Sequence, residues 1–326
     1  MLRKMLILLV VLGLGFAPAV VTAEKTTLVW SAGSAGGGWY QMAGGIAAII
    51  GESDPDIVIK VVPGGGVKNS AILEAGSVDM AWGLPFMNAA AQEGIPPFDN
   101  KHTHLRAIAG GMSESHLHFY LGEGVKYNSM DEVFNGKNPV RLAISQPGSS
   151  DVWIFEKILE AYNTSIADLQ KKGYHFARGN YSFQANQFKD KNVDGVFTFL
   201  ASPGAAVIEA SIGRKLKLIP FSDTATKYLA QFGIYSCQIP AGTYPKAANG
   251  DQPVKTCCSG CTIMVNASMS DEMAYRITKA FNENYQKVNK VHASLSAYRP
   301  ELGPTGLAIP LHPGAEKYYR EKGLLK

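Results

Sequence analysis

The stretch Thr26-Thr-Leu-Val-Trp-Ser-Ala-Gly-Ser-Ala-Gly-Gly-Gly-Trp-Tyr-Gln-Met-Ala-Gly-Gly-Ile-Ala-Ala-Ile-Ile50 decides the fold class. Thr26 to Trp30 alternates and is rich in β-branched residues, which predicts a strand. Ser31 to Gly38 is a loop of small residues. Trp39 to Ile50 then carries apolar residues at helical spacing. A strand, a glycine-rich loop and a helix in that order leave backbone N–H groups free at the positive end of a helix dipole. Such a loop suits a carboxylate, a phosphate or a polar ligand.

The unit recurs. Asp56 to Val62 predicts a strand, Pro63-Gly-Gly-Gly66 a second glycine turn, Asn69 to Ala75 a short helix stopped by Gly76, and Val78 to Trp82 a strand. Two such units predict a parallel α/β sheet with both loops at the carboxyl edge of the strands, where open α/β folds bind ligands. Leu105 to Ala109 and Leu117 to Leu121 read as a path toward a second domain. There Val140 to Ile144 is a strand, Ser145-Gln-Pro-Gly-Ser-Ser150 a third glycine loop, and Asp151 to Tyr162 a helix capped by Ser149 or Ser150. Tyr174 to Ala177 and Val193 to Phe199 are strands around a helix at Phe183 to Lys189, with Ser202-Pro-Gly-Ala at the next turn. The chain is expected to cross back after Phe221, to add a strand at Thr262 to Val265, and to finish with helices after Ser270 and His312. The expected boundaries are a signal peptide at 1–23, a first lobe of 24–118 plus 222–326, and a second lobe of 119–221. Two lobes joined by more than one crossing predict a hinge and a cleft.

Composition agrees with a folded, exported protein. The 326 residues suit two domains, and 18% charged with 10% aromatic excludes wholesale disorder. Arg3 and Lys4 precede the apolar run Leu6 to Leu14, and Val21-Thr22-Ala23 offers a signal-peptidase site, so export to the periplasm with cleavage is expected. Removing those two bases lowers the formal charge from +4 to +2. With no Lys/Arg block, nucleic acid is not an expected partner. Cys237, Cys257, Cys258 and Cys261 form an even set. They read as one or two structural disulfides, or, through Cys258-Ser-Gly-Cys261, as a redox pair or half a zinc site. A turn at Asn249-Gly250-Asp251 would bring Cys237 near Cys257 and Cys258.

Catalytic signatures are missing. The chain has no G-x-S-x-G, P-loop or H-E-x-x-H motif. Gly33-Ser-Ala-Gly36 does not match a dinucleotide loop, and Asp54 and Asp56 precede the second strand instead of ending it. His102-Thr-His104 and His116-Leu-His118 are H-x-H pairs, yet no third ligand accompanies either in sequence. The expectation is therefore no catalytic residue, no metal and no cofactor, with a monomer as the default. Trp39, Tyr40 and Trp82 read as core or pocket wall, Asn69 as a cap or a ligand contact, and Ser149 and Ser150 as caps that also touch ligand.

Several stretches together resemble a known family. Ala35-Gly-Gly-Gly-Trp-Tyr40 is similar to a G-G-x-Y-Y loop, and Asn69 to Asp79 to an N-x-x-x-L-x-x-G-x-x-D block. Gln146-Pro-Gly-Ser-Ser150 is similar to P-P-G-S-G, while Ile239 to Pro245 and Ile309 to Arg320 look like later signatures. In this order they resemble the TAXI family, the substrate receptors of one branch of tripartite ATP-independent periplasmic (TRAP) transporters. The resemblance implies a fold like the type II periplasmic binding proteins, with two α/β lobes around a ligand cleft. It also implies a small carboxylate or amino acid ligand, glutamate among those known, and delivery to a fused membrane permease driven by an ion gradient. Where relatives often carry Gln-Ser-Asp, this chain has Gly83-Leu84-Pro85-Phe86-Met87, which makes that wall more apolar. The expected ligand contacts are Ala35, Gly36, Tyr40, Gly65, Val67, Asn69, Pro85, Gln146, Gly148, Ser149, Ser150 and Ser202.

Overall fold

The structure is a computed structural model that describes residues 25–35 and 37–325. The expected signal peptide and Gly36 lie outside the described residues.

The first lobe opens with β1 (Thr26–Ser31), α1 (Gly38–Ser53), β2 (Ile57–Val62), α2 (Gly66–Glu74), β3 (Met80–Gly83), α3 (Pro85–Glu93) and β4 (Leu105–Ala109). The second contains β5 (Glu114–Gly122), α4 (Met130–Asn135), β6 (Arg141–Ile144), α5 (Ser150–Ala161), α6 (Ile166–Lys171), β7 (His175–Arg178), α7 (Tyr181–Lys189) and β8 (Gly195–Ala201). It continues through α8 (Ala205–Gly213), β9 (Leu216–Leu218), α9 (Asp223–Ala230), β10 (Tyr235–Ile239) and β11 (Val254–Gly260). The chain then returns to the first lobe as β12 (Thr262–Asn266), α10 (Asp271–Glu283), α11 (Tyr285–Val291) and α12 (Pro313–Glu321).

Two mixed sheets result. The first has the order β2-β1-β3-β12-β4, parallel through its first three strands, with β12 antiparallel to both β3 and β4. The second runs β10-β11-β5-β8-β6-β7, with β9 also paired to β5. Both glycine turns after β1 and β2, and the loop after β6, follow strands that lie side by side with parallel neighbours, as the repeated strand-loop-helix pattern predicts.

The crossing differs from expectation. The chain does not return after Phe221; β10 and β11 stay on the second sheet, and the return falls between Gly260 and Thr262. The outward crossing lies in 110–113, so β5 belongs wholly to the second sheet. The reason is local. β11 pairs with β5 on one side and with β10 on the other, and the Cys237–Cys258 disulfide ties β10 to it, so the two strands gain their place by cross-strand pairing and not by apolar alternation. A helix at Pro85 was not expected either; proline at its first position donates no N–H that the helix needs.

Each lobe has its own aromatic centre. Behind the first glycine loop Trp82 lies between Trp30, tilted against it with centroids 5.3 Å apart, and Trp39, stacked on it at 5.9 Å. In the second lobe Phe119, Phe134, Phe155 and Phe197 pack within 6.5 Å of one another along a chain of contacts. Burying such rings contributes about 1.5–3 kcal/mol each, which holds the sheets that present the loops.

Candidate functional site

Three helices begin at one place. The N-termini of α1, α2 and α5 border a cavity of about 70 Å³ between the two sheets. From the first lobe it is lined by Gly33, Ser34, Gly38, Trp39 and Gly64 to Gly66; from the second by Ser115, Ser145, Ser149, Ser150, Asp151, Tyr181 and Phe199 to Ala201. No lysine, arginine or histidine is among these lining residues. First-turn amides have no partner within their own helix, and three sets of them aimed at one small volume make a positive field without a cationic side chain.

The first-lobe loops are fixed by Asn69. Its side chain is fully buried and accepts from Ser31 Oγ (2.8 Å) and the Gly65 N–H (3.0 Å). It donates to the carbonyls of Ala32 and Trp82, each at 2.8 Å. One amide thus ties β1, β3 and the turn before α2 into a single unit. Asn69 therefore holds the loops instead of lining the cavity, and the Gly65 N–H is spent on it.

The glycines let the lobes touch. A Cβ on Gly66 would sit 2.7 Å from Ser150 Oγ, one on Gly38 3.0 Å from Ala201 Cβ, and one on Gly37 3.1 Å from the Tyr181 ring. All three neighbours belong to the second lobe. Farther out, Phe86 of α3 stacks on Trp153 of α5 with centroids 5.6 Å apart.

The second-lobe wall is built from side chains. Asp151 is 3% exposed; its Oδ2 accepts from Ser145 Oγ (2.9 Å) and from the Phe199 N–H (3.0 Å). Its Oδ1 has the Tyr181 hydroxyl at 3.4 Å, while that hydroxyl donates at 2.8 Å to the Phe199 carbonyl. Gln184 in turn donates to Ser145 Oγ at 3.0 Å. Burial lifts the Asp151 carboxyl to about 6, against the pull of these donors toward the ionised form. Burial and the neighbouring Asp151 carry the Tyr181 hydroxyl well above its ordinary value.

Of the expected contacts, the structure brings Gly65, Ser149 and Ser150 to the cavity. Ser149 also caps α5 by accepting from the Val152 N–H at 3.3 Å. Ala35 is exposed and is not among the residues that line the cavity. Tyr40 turns away, its hydroxyl 3.4 Å from the Val61 carbonyl. Val67 and Gly148 border a separate groove with Pro147 and His102. Gln146 donates to the Arg178 carbonyl at 3.1 Å. Pro85 and Ser202 line other cavities near the crossings. Sequence reasoning missed Ser145, Asp151 and Tyr181. An acid directly after a serine cap reads as a partner of the helix dipole, so Asp151 carries no separate signal; only its apolar neighbours hint at burial.

The cysteines resolve into one bridge, Cys237–Cys258, with Cys257 and Cys261 as buried free thiols. The C-x-x-C pair is not bonded. Burial pushes the Cys257 thiol up to about 12 and raises that of Cys261 as well, so neither is a reactive thiolate at neutral pH. Cys261 Sγ accepts from Trp39 Nε1 at 3.1 Å. His104 pairs with Glu74 at 2.8 Å, and His102 packs edge-on against Phe98; among the described residues that H-x-H pair gathers no group of three metal ligands.

Comparison with known proteins fits this architecture. A profile described as the NMT1-like family matches residues 30–323. MatC from Rhodopseudomonas palustris with bound malate is similar in structure, with a TM-score of 0.55 and 13% identity over 93% of this chain and 99% of that one. A structure described as a periplasmic transporter gives 0.54 and 11%, covering 93% and 94%. The fold is the two-lobe α/β fold of periplasmic binding proteins.

Proposed function

The chain belongs to the NMT1-like family, and from that premise we propose that it is an extracytoplasmic solute receptor. It captures a small organic acid or amino acid between its lobes and hands it to a membrane permease. The observation that carries this reading is the convergence of three helix N-termini on one small cavity whose lining has no cationic side chain. A carboxylate accepts from the first-turn amides of α1, α2 and α5, while Ser149 and Ser150 hold it from the second lobe. Malate bound to a protein of the same fold is consistent with an acid as cargo.

Asp151 narrows the ligand further. Placed in a wall without positive side chains, its less-bonded Oδ1 favours an acid that also carries a donor, an ammonium or a hydroxyl, beside the carboxylate. Closure is favoured by the ligand's higher affinity for the closed lobes. The motif resemblance supports a TAXI-type receptor, periplasmic after signal cleavage, working with an ion-gradient-driven TRAP permease.

A thermal-shift screen of amino acids, hydroxy acids, dicarboxylates, keto acids and aromatic acids, followed by calorimetry, tests the reading. A ligand at ~100 times its dissociation constant adds ~2.7 kcal/mol. One class of small acid binding at one per chain is the expected result. Binding of cations or sugars, with acids silent, contradicts it. Uptake in vesicles carrying the cognate permease is expected to need an ion gradient; uptake that follows ATP instead contradicts the TRAP assignment.

A further inference from the structure

The second H-x-H pair has a surrounding that its sequence did not reveal. His116 lies on β5 directly opposite Cys258 of β11, and Cys258 is bonded to Cys237 of β10. The imidazole and both sulfurs offer ligand atoms within 4.8 Å of one another. His116 is 91% buried by its 9% exposure, and its Nδ1 has no hydrogen-bond partner. It also borders a cavity of about 390 Å³ beside the crossing strands, with Glu114, Ser202 and Tyr235, which gives small solutes a route to it. The ligand cavity does not use this histidine.

We propose that the reduced chain carries a soft-metal site formed by His116, Cys237 and Cys258, and that the disulfide closes this site when oxidised. The Cα atoms of the two cysteines are 5.9 Å apart. That spacing suits a disulfide. It also suits two thiolates on one tetrahedral ion, whose sulfurs stand about 3.8 Å apart for bonds of about 2.3 Å. Three strands already paired in one sheet hold the ligands, so little backbone movement separates the two states. Thiolate and imidazole together select zinc or a copper(I)-like ion over hard cations.

The chemistry balances. A dithiol reductant gives two hydrogens to the Cys237–Cys258 bond and becomes a disulfide itself, leaving two thiols on the chain. A divalent ion then displaces the two thiol protons to buffer and takes the neutral imidazole as third ligand. A disulfide oxidant reverses both steps by thiol–disulfide exchange: the Cys237–Cys258 bond re-forms, the oxidant leaves as a dithiol that takes up two protons from buffer, and the metal ion is released. Cys257 is not a competitor on the same face, because adjacent residues of β11 point to opposite sides. Cys261 is committed to Trp39.

The test uses the whole protein, reduced with a phosphine under nitrogen and titrated with cobalt(II) and then zinc(II). The expected result is one cobalt per chain with a thiolate charge-transfer band that zinc bleaches. The oxidised protein should show none. His116→Gln and the pair Cys237→Ser with Cys258→Ser should each weaken binding at least 100-fold, while Cys257→Ser with Cys261→Ser leaves it unchanged. Equal binding by oxidised and reduced protein, or by the His116→Gln variant, overturns the proposal. So does loss of the far-ultraviolet circular dichroism of the native fold on reduction, since the bridge is then purely structural. Small-acid binding, measured on the same samples, reports separately on the receptor reading.

Discussion

The two walls of the ligand cavity are made of different materials. The first lobe presents almost bare backbone: Gly33, Gly38 and Gly64 to Gly66, with Trp39 behind them. The second presents side chains: Ser149 and Ser150 at the start of α5, and Ser145, Asp151 and Tyr181, of which Asp151 hydrogen-bonds the other two. Bare amides attract any compact anion that fits, because a helix dipole does not distinguish one acid from another. Fixed side-chain donors and acceptors do distinguish, because a mismatched ligand leaves them unpaired. The comparison assigns affinity mainly to the first lobe and selectivity mainly to the second.

The harshest way to break it is Asn69→Ala. The substitution strands the Gly65 N–H and the carbonyls of Ala32 and Trp82, all held by one buried amide. A loss of roughly 3–5 kcal/mol in unfolding free energy is expected from several buried groups left unpaired, read by denaturant titration. Affinity should fall for every ligand alike. Selective loss toward one acid contradicts the division of labour.

Gly66→Ala is next. Its new Cβ meets Ser150 across the cleft, so the lobes close incompletely. Overpacking at about 1–3 kcal/mol corresponds to roughly 5- to 150-fold in affinity, with unfolding stability nearly unchanged. An unaltered dissociation constant means that the lobes do not meet at this point in the bound state.

Substitutions on the second wall sharpen the comparison. Ser149→Ala with Ser150→Ala removes two hydroxyls and one helix cap; about tenfold weaker binding and about 1 kcal/mol less stability are expected. Asp151→Asn should change the ranking of ligands more than the average affinity, favouring acids that lack an ammonium or hydroxyl.

Asp151 also sets a pH dependence. Its carboxyl rises from 3.8 to about 6 in the fold, so the folded chain holds that proton more tightly than the unfolded one. The contribution is fully present below about pH 3.8 and is lost as pH rises through about 6. Relative to Asp151→Asn, the wild type should therefore gain stability on acidification from pH 7 to 5, followed by thermal unfolding. A difference that is flat with pH contradicts an ionised, buried Asp151.

The smallest effect is expected at the rim. Phe86→Leu keeps most of the apolar volume but removes the stack on Trp153. An aromatic pair of about 0.5–1.5 kcal/mol gives roughly 2- to 10-fold weaker binding, through a smaller closed population.

The same asymmetry governs what could be read from the sequence. Glycine loops between a strand and a helix announce themselves, so β1, β2 and their turns, and the Ser149–Ser150 cap, were legible as local patterns. Asp151 was not, because its importance lies in Phe199 and Tyr181, 48 and 30 residues away. Asn69 was legible as a polar residue at a helix start, but its partners on β1 and β3 belong to the sheet order. The late return at Gly260 was hidden for a related reason: β10 and β11 are joined by cross-strand pairing and a disulfide, not by a pattern within either strand.

One measurement bears most directly on the central claim that three helix starts hold a small acid between the lobes. The protein is unfolded, freed of carried-over solutes, refolded, and titrated calorimetrically with the small-acid panel alongside Gly66→Ala. Binding of one acid per chain by the wild type, weakened at least about fivefold in the variant, is the predicted result. Acid binding that Gly66→Ala leaves untouched would place the ligand elsewhere and contradict the account.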